Sequence, residues 1–217
     1  MLKWVNTGGA LVLYLVRHGE TSLNRERIFQ GHLDPELSPL GREQAKRLAL
    51  RLKDEKIGAF YSSDLLRAYQ TASAIAAKHR QGVTKVKELR GIDCGEWTGK
   101  SVEEIEAVYP ELLITWRFQP HHHRMPGGES VEQVQRRIIR AWQRILAEEA
   151  GHNICIVTHA IPVKSLMCHF MEDDLSLMWL TPRQDNGALN IIHFEGGKPR
   201  VIEVGSVDHL QGLEAPG

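Results

Sequence analysis

The chain has 217 residues, a length that suits one well-cored α/β domain, and its 27 Lys and Arg residues balance 27 Asp and Glu residues at a formal net charge of zero. This balance gives no basic field for binding nucleic acid and no acidic tail of the disordered kind. Three cysteines without paired spacing argue against a disulfide framework or a zinc site, and the N-terminal apolar run is too short to span a bilayer, so we expect a cytoplasmic protein with no membrane partner.

Strands and helices alternate in the first half of the chain. Residues 1–9 form a poorly patterned lead-in, and the run Ala10–Val16, which is apolar throughout, predicts a central strand covered on both faces. Ser38-Pro39 predicts a helix start, because a hydroxyl cap stands before a proline at the first helical position. The other predicted elements of this half are a short helix at Thr21–Ile28, a strand at Ala59–Ser62, a helix opened by Ser63-Asp64, and a more exposed strand at Val83–Leu89.

The second half continues the alternation around one irregular stretch. Ser101 with Glu104 and Ser130 with Gln133 form capping boxes, so each serine predicts a helix start. Pro110 is expected to end or kink the first of these helices. The other predicted elements are an irregular stretch at Leu112–Gly128, strands at Asn153–Val157 and Ala188–Phe194, a helix from about Pro162 to Phe170, a turn at Gly196-Gly197 into a strand at Arg200–Val204, and a frayed last dozen residues.

The alternation of strands and helices defines the expected fold class. It predicts an α/β three-layer sandwich, with a mostly parallel central sheet and helices on both faces. No internal repeat or low-complexity linker divides the chain. We therefore expect a single domain over residues 1–217, with a lid-like helical insertion at about 103–128.

Two of the predicted strands end in a histidine. The first runs into Arg17-His18-Gly19, and the strand Asn153–Val157 runs into Thr158-His159-Ala160. A third strand end, at Tyr61-Ser62, leads to Arg67 in the first turn of a helix. Ligands of open α/β sheets bind at the carboxyl ends of the strands, where helix starts favour anions and arginine matches phosphate oxygens in pairs. If the strands are neighbours, one phosphate contacts both histidines and both arginines.

The motifs along the chain resemble those of the histidine phosphatase superfamily, in the phosphoglycerate mutase-like branch that carries the Arg-His-Gly signature. They stand in the family's order over roughly residues 10–195. The matching segments are Leu15-Val16-Arg17-His18-Gly19-Glu20-Thr21 with Asn24, Gln30-Gly31-His32-Leu33-Asp34, Leu37-Ser38-Pro39-Leu40-Gly41, Ser62-Ser63-Asp64-Leu65-Leu66-Arg67-Ala68 with Gln70-Thr71-Ala72, Gly95-Glu96-Trp97-Thr98-Gly99, Gly127-Gly128-Glu129-Ser130 and Val157-Thr158-His159-Ala160. No single segment is decisive, but the ordered set is highly specific.

The resemblance implies roles for individual residues. His18 would be the nucleophile that takes the phosphoryl group. The residues implied to bind the phosphate and stabilise its charge are Arg17, Arg67 and His159. Further candidate substrate-binding residues in the matching segments are Glu20, Thr21, Asn24 and Gln30. The resemblance also implies catalysis without a metal or cofactor, because the guanidinium groups and His159 supply the positive charge.

Elementary chemistry agrees with a histidine nucleophile at position 18. A histidine must be neutral to attack, and the two neighbouring arginines lower the pKa of His18 by charge repulsion. Its other ring nitrogen usually donates to a backbone carbonyl, which fixes the tautomer. Attack then divides hydrolysis into two steps through a phosphohistidine intermediate. The transfer itself needs mainly positioning and charge stabilisation.

The chain departs from the family pattern at Gly91. Family members usually carry a glutamate there, just after the third strand, as the proton donor to the leaving group. A general acid is typically worth about 10²–10⁴-fold in rate. Three interpretations stay open: Asp93 reaches the site from two residues on, Glu96 or a lid residue substitutes, or the enzyme is weakened, as a natural or an engineered variant. Asp93 could equally cap the turn before Cys94-Gly95.

The run His121-His122-His123-Arg124 is the other unusual feature. Adjacent histidines in a loop rarely offer one ion a good geometry, so we expect no metal site here. His123 and Arg124 are candidates to line the pocket mouth and meet an acidic group on the substrate, and an exposed loop is the alternative. Trp116 and Phe118 are expected to cover the site or pack the lid.

These features favour a metal-independent phosphomonoester hydrolase that acts on a small phosphorylated metabolite through a phosphohistidine on His18. Because the insertion is shorter than is usual for the family's mutases, water is the expected acceptor. Two alternatives stay open. One is a phosphoglycerate mutase-type phosphoryl transferase, and the other is a weakly active phosphate-binding regulatory protein in which Gly91 stands in place of the acid. The exposed third strand also leaves a homodimer open.

Overall fold

A six-stranded sheet orders the described part of the chain, which comprises residues 10–171 and 174–213 of the computed structural model. Its strands are β1 (Leu11–Arg17), β2 (Ala59–Ser63), β3 (Thr84–Val86), β4 (Ile154–Thr158), β5 (Leu189–Glu195) and β6 (Lys198–Ser206). The α-helices of these residues are α1 (Ser22–Arg25), α2 (Pro39–Leu52), α3 (Leu66–Lys78), α4 (Val102–Val108), α5 (Pro110–Phe118), α6 (Val131–Glu148) and α7 (Ala160–Met171). Short 3₁₀ turns lie at Lys87–Leu89, Gly95–Trp97, Pro120–His122, Leu175–Leu177 and Asp208–Leu210.

The strand order is β3-β2-β4-β1-β5-β6. The first four strands in this order pair in parallel, whereas β5 is antiparallel to β1 and β6 is antiparallel to β5. The sheet is therefore mostly parallel, as predicted. Arg17 stands opposite Thr158 in the β1–β4 register, so the residues that follow, His18 and His159, leave the sheet side by side.

Helices cover both faces of the sheet. Alternate side chains along β1 pack against the helices on opposite faces. Leu13 and Leu15 join the hydrophobic cluster to which α6 and α7 contribute on one face. Tyr14 and Val16 join the cluster to which α2 and α3 contribute on the other face. Burying each such side chain contributes about 1.5–3 kcal/mol. The predicted three-layer α/β architecture is confirmed.

A third hydrophobic cluster lies beside the sheet, around α4, α5 and the start of α6. Its fully buried members include Trp97, Ile105 and Met125. The partly buried side chains that contact it are Phe29, Val102, Tyr109, Trp116 and Trp179. The segment predicted as a lid-like insertion is thus fastened by apolar contacts that do not depend on the two clusters of the sheet.

Several elements differ from the sequence predictions. The helix predicted at Thr21–Ile28 is shorter, at Ser22–Arg25. Pro110 does end α4, but it also opens α5, because a proline at the first helical position gives up no backbone hydrogen bond. The prediction that Leu112–Gly128 is irregular is therefore wrong at its start. The third strand is shorter than predicted, since only Thr84–Val86 pairs with β2 and Lys87–Leu89 forms a 3₁₀ turn. An edge strand has one neighbour to hold it, so its pairing ends early.

The two ends of the chain are only partly described. The lead-in at 1–9 and the last residues, 214–217, lie outside the described residues. The prediction of a frayed C-terminus is wrong up to residue 213, because β6 continues to Ser206 and a turn at Asp208–Leu210 follows. That turn is fastened where His209 Nε2 lies 3.1 Å from the Gly187 carbonyl oxygen. Within the described ranges, no helix is both long and apolar enough to cross a membrane.

Candidate active site

The ends of β1 and β4 bring two imidazoles together. The backbone N–H of His18 donates to the Thr158 carbonyl at 2.9 Å. The ring centroids of His18 and His159 lie 4.9 Å apart, with an angle of 64° between the ring planes. Both side chains are buried. The prediction that these two strand ends are neighbours is confirmed.

One ring nitrogen of His18 is committed to a hydrogen bond. Nδ1 lies 2.6 Å from the carbonyl oxygen of Gly19. Because a carbonyl can only accept, Nδ1 carries the hydrogen and Nε2 keeps its free electron pair. Burial lowers the pKa of His18 well below its usual value, and the Arg67 and Arg17 cations lower it further. The ring is therefore neutral at pH 7 and nucleophilic at Nε2.

Two buried arginines flank this imidazole. Arg67, in the first turn of α3, donates to the carbonyls of Leu33 at 2.7 Å and Gly31 at 3.1 Å. Arg17, at the end of β1, donates to the Gln184 carbonyl. The Nε atom of each arginine is buried and has no hydrogen-bond partner among the described residues. Backbone carbonyls thus hold both guanidinium groups in place while leaving donors free.

The charge of these arginines is not neutralised locally. Neither guanidinium forms a salt bridge with a described carboxylate, although Asp185 and Asp34 act on Arg17 and Arg67 from a distance. Burial lowers the pKa of each arginine to about 10, so both remain cationic at neutral pH. A buried charge is costly without a partner. A bound dianion such as phosphate would offset that cost.

His159 also has a ring nitrogen that is available for a hydrogen bond. Its Nε2 is buried and has no partner among the described residues. Burial lowers the pKa of His159 well below its usual value, and repulsion from Arg67 and then from His18 lowers it further. The expectation that His159 supplies positive charge is therefore not supported, because burial keeps its ring neutral. A neutral imidazole that carries its hydrogen on this nitrogen can still donate to a phosphate oxygen.

The four side chains line one pocket of about 300 Å³. Two further predicted residues, Asn24 and Gln30, line it as well. Gln30 Oε1 is buried without a partner in the described structure, and Asn24 Oδ1 accepts from Asn186 at 3.2 Å. The remaining lining residues are Arg27, Ile28, Phe29, Gly31, Gly91, Ile92, Cys94, Trp116, Ala160, Ile161 and Trp179. The structure therefore brings six of the predicted site residues to one place.

Glu20 and Thr21 do not line this pocket. The Glu20 carboxylate accepts from the Ser38 hydroxyl at 2.7 Å. Thr21 caps α1, and its hydroxyl oxygen accepts from the Asn24 backbone N–H at 3.2 Å. Both residues stabilise the loop that follows His18, so they act on the site through the backbone and not by lining the pocket.

Asp93 is not brought to the pocket either. Its carboxylate accepts from the Gly95 backbone N–H at 3.0 Å, which is the turn-capping role left open as the alternative. Gly95 adopts a positive φ of 50°, and the turn it makes keeps the Asp93 side chain local. Glu96 does not line the pocket, and its carboxylate accepts from the Tyr109 hydroxyl. The expectation that Asp93 or Glu96 replaces the missing acid is not supported by this geometry.

Gly91 does line the pocket, beside His159. A Cβ atom built on Gly91 would lie 3.3 Å from Cγ of His159. The backbone at Gly91 is not in the left-handed region, so a larger residue needs only a small adjustment of the imidazole. The position where the family's glutamate is expected therefore lies beside His159 in the pocket, and here it presents no side chain.

The triple-histidine run lies away from the pocket mouth. His123 is buried between Trp97 and Trp116, at centroid distances of 5.1 and 5.4 Å. Arg124 is exposed and bridges to Ser130 through its backbone. Neither lines the pocket, so the expectation that they meet the substrate at its mouth is not supported. Within the described ranges, no three His, Cys, Asp or Glu side chains are grouped to hold a metal ion.

The two aromatic residues predicted to cover the site, Trp116 and Phe118, lie in different environments. Trp116 lines the pocket, as predicted, whereas Phe118 is 75% exposed and covers nothing. Trp179, which the sequence reasoning missed, lines the pocket beside Trp116 and donates its indole N–H to the Trp116 carbonyl at 2.9 Å. No local motif marks Trp179, because its position depends on how the segment after α7 returns to the sheet.

A second missed residue is Arg137 of α6. Its guanidinium donates to the Glu88, Arg90 and Gly91 carbonyls at 2.6 to 2.7 Å. It also pairs with Glu129 at 2.8 Å. Arg137 thus clamps the loop that carries Gly91 against the site. The glutamate of the Gly127-Gly128-Glu129-Ser130 segment was a signal for this pair, since a partly buried acid is stabilised by a cation.

Comparison with known proteins defines the class. The model of the histidine phosphatase superfamily (branch 1) matches residues 13–206. Phosphoserine phosphatase 1 of Hydrogenobacter thermophilus is 35% identical over 198 residues, which cover 91% of this chain and 93% of that protein. Phosphoglycerate mutase-like protein 4 of Arabidopsis thaliana is 37% identical over 203 residues, with 92% and 86% covered. The solved structure of YhfR from Bacillus stearothermophilus has a TM-score of 0.89 and 34% identity, and covers 93% of this chain and 100% of that chain. The chain belongs to the histidine phosphatase superfamily.

Proposed function

We propose that this chain hydrolyses phosphomonoesters of a small metabolite through a phosphohistidine on His18. One observation carries the proposal. The neutral His18 ring, with Nδ1 held by the Gly19 carbonyl, presents Nε2 to a pocket that also contains the unpaired guanidiniums of Arg17 and Arg67. A nucleophile and the charge that stabilises a transferring phosphoryl group are thus preorganised together.

In the first step, the Nε2 electron pair forms a bond to phosphorus. The bond from phosphorus to the ester oxygen breaks, its electrons leave with that oxygen, and the oxygen takes a proton from solvent. Arg17, Arg67 and His159 hold the non-bridging oxygens, and the Gly19 carbonyl holds the N–H of the imidazolium that forms. In the second step, water attacks phosphorus and loses a proton to solvent. The N–P bond breaks, and inorganic phosphate and neutral His18 are released.

The comparisons support hydrolysis as the outcome. A relative with 35% identity bears the name phosphoserine phosphatase, and it matches nearly the whole chain. A relative with 37% identity bears the name phosphoglycerate mutase-like protein. Its name keeps the mutase alternative, transfer of the phosphoryl group to a second hydroxyl, as a candidate function. A protein that interconverts 2- and 3-phosphoglycerate when primed with the bisphosphate is a mutase, and release of inorganic phosphate without interconversion identifies a phosphatase.

The nucleophile is tested by His18→Ala on para-nitrophenyl phosphate. We expect the substitution to abolish turnover, because no other described group in the pocket is a neutral imidazole with Nδ1 fixed by a carbonyl. Rapid quenching of the wild type should trap an acid-labile, alkali-stable phosphoprotein, and the variant should give none. His152→Ala, at an exposed site outside the pocket, is the control and should keep wild-type rates.

Unchanged hydrolysis in His18→Ala would reject this mechanism. Binding of phosphate without any turnover in the wild type would instead support the regulatory alternative. The two results are distinguishable, because the first requires a different nucleophile and the second requires none.

A further inference from the structure

The pocket beyond the phosphate-facing side chains is walled by aromatic rings. Phe29, Trp116 and Trp179 line it. Trp116 and Trp179 meet edge to face with centroids 5.5 Å apart, and Phe29 lies 6.3 Å from Trp116. The hydrogen bond from Trp179 to the Trp116 backbone fixes the pair. A flat ring entering this space would find both ring faces and ring edges to contact.

The same pocket contains no carboxylic acid among its described lining residues. The nearby acids Asp93, Glu96 and Glu129 are each bonded elsewhere, as described above. The two acids that act on the pocket arginines do not line the pocket either: Asp34 accepts from the Leu66 backbone N–H, and Asp185 pairs with Arg183. His159 is neutral, and burial raises the pKa of the Cys94 thiol to about 12. None of the described residues therefore offers a leaving oxygen in this pocket an efficient proton donor.

The charged groups of the described lining are all cations. Arg17 and Arg67 lie at the phosphate end, and Arg27 stands exposed at the rim. An ammonium group on the substrate, as in a phosphorylated amino acid, would find no carboxylate to pair with in the described lining. A substrate without a positive charge suits this pocket better, and Arg27 can pair with an anionic substituent.

We propose that the substrate is the phosphate monoester of a phenol, or of a similarly acidic hydroxyl, carried on an aromatic ring without an ammonium group. This inference rests on the proposed hydrolysis at His18 and names its substrate class. A phenol has a pKa of about 10, as in tyrosine, and leaves as phenolate without help. An aliphatic alcohol is several units more basic and needs an acid. The pocket, at about 300 Å³, is at the small end for ligand sites and suits a single ring.

The bonds balance without a further reactant. Nε2 of His18 bonds to phosphorus as the bond from phosphorus to the phenolic oxygen breaks. The phenolate takes the electron pair and gains a proton from bulk water after it leaves. Water then cleaves the N–P bond as before. The absence of a side chain at Gly91 costs this reaction little, whereas it slows an alkyl ester by about 10²–10⁴-fold.

The first test measures kcat/KM of the wild type on phenyl, benzyl and ethyl phosphate and on phosphoserine. We expect phenyl phosphate to exceed benzyl phosphate by about 100-fold or more, because only the leaving-group acidity changes greatly. Benzyl phosphate should exceed ethyl phosphate, because the ring contacts the aromatic wall. Phosphoserine should be the poorest of the four.

The second test restores the acid with Gly91→Glu and compares Gly91→Gln and Gly91→Ala as matched controls. The glutamate should raise kcat/KM on benzyl and ethyl phosphate by about 10- to 100-fold and change phenyl phosphate by less than about 3-fold. Glutamine and alanine reproduce the added bulk beside His159 without the proton, and they should not raise either rate.

The outcomes separate the two proposals. Faster His18-dependent hydrolysis of phosphoserine or ethyl phosphate than of phenyl phosphate overturns the substrate class and leaves the phosphatase intact. Equal gains on all esters in Gly91→Glu overturn the argument from the missing acid. Failure to hydrolyse any ester through His18 overturns the proposed function itself. If Gly91→Glu fails to fold, the wild-type series still decides the substrate class.

Discussion

At the scale of single residues, burial sets the chemistry of the histidines. Burial is the largest cause of the lowered pKa of His18, His159 and His123. For the first two, nearby arginines add repulsion. His123 is different, because it is 1% exposed between Trp97 and Trp116 and neither ring nitrogen has a partner among the described residues. Its imidazole therefore weakens the folded state as soon as it is protonated.

This predicts an acid-sensitive fold. A histidine in the unfolded chain has a pKa of about 6.5. Because the folded-state pKa of these histidines is lower, the unfolded chain binds more protons below about pH 6.5, and the free energy of unfolding falls as the pH falls from there toward the folded-state pKa. His123→Phe should reduce the loss of stability between about pH 7.5 and about pH 5. Urea unfolding at each pH measures it, with the exposed His122→Phe as control. An unchanged slope in His123→Phe would assign the sensitivity to other groups.

The sequence placed a residue correctly where its position relative to a strand end or a helix start could be recognised. His18, His159 and Arg67 follow strand ends or open a helix, and parallel strands bring such positions to one edge. Asp93 was misplaced because its spacing from the site assumed an extended chain, whereas Gly95 turns it. Trp179 was missed because no local pattern reports which loop reaches the pocket.

At the scale of elements, the helix starts are the best-marked features of the chain. Ser101 and Ser130 both accept from the third backbone N–H of their helix, and the acid or amide there returns the hydrogen bond. These capping boxes were readable from four residues each. The lengths of β3 and α5 could not be predicted. β3 is an edge strand with a neighbour on one side only, and Pro110 could either kink a helix or open one.

The cap of α6 bears directly on the site, since Arg137 lies two turns along that helix. Ser130→Ala should lower the free energy of unfolding by about 1 kcal/mol, because the Gln133 N–H loses its acceptor at 3.2 Å. Ser130→Asp, which keeps an acceptor, should remain within a few tenths of wild type. Thermal and urea unfolding measure both. Equal losses in the two variants would show that the side-chain hydrogen bond contributes nothing.

At the scale of the whole molecule, the position of β4 organises the fold. It lies between β1 and β2, so the two earlier strands pair with β4 rather than with each other. The class of fold and its layers were predictable from the alternation of elements and the apolar strands. The order of strands was not, because one sequence shows which segments are strands without showing which of them are neighbours.

A chain that ends at Gly151 should fail to fold cooperatively. It lacks β4, so β1 has no parallel partner and the apolar faces of α2 and α3 cover an incomplete sheet. We expect it to show no sigmoidal urea transition in circular dichroism. A chain that ends at Leu213 retains every described element and should unfold as the full chain does. A cooperative transition in the shorter fragment would mean that β1 and β2 can close on each other.

Placing β4 in the centre also sets when the pocket can first exist. His18 and His159 are 141 positions apart in the chain. At the usual pace of translation, roughly 7 to 30 seconds separate their synthesis. For most of that interval the nascent polypeptide already contains His18, Arg17 and Arg67 but lacks β4 and His159, so a chain released early lacks the strand that completes the pocket. The pocket is therefore complete only near the end of synthesis, once β4 pairs with β1 and β2.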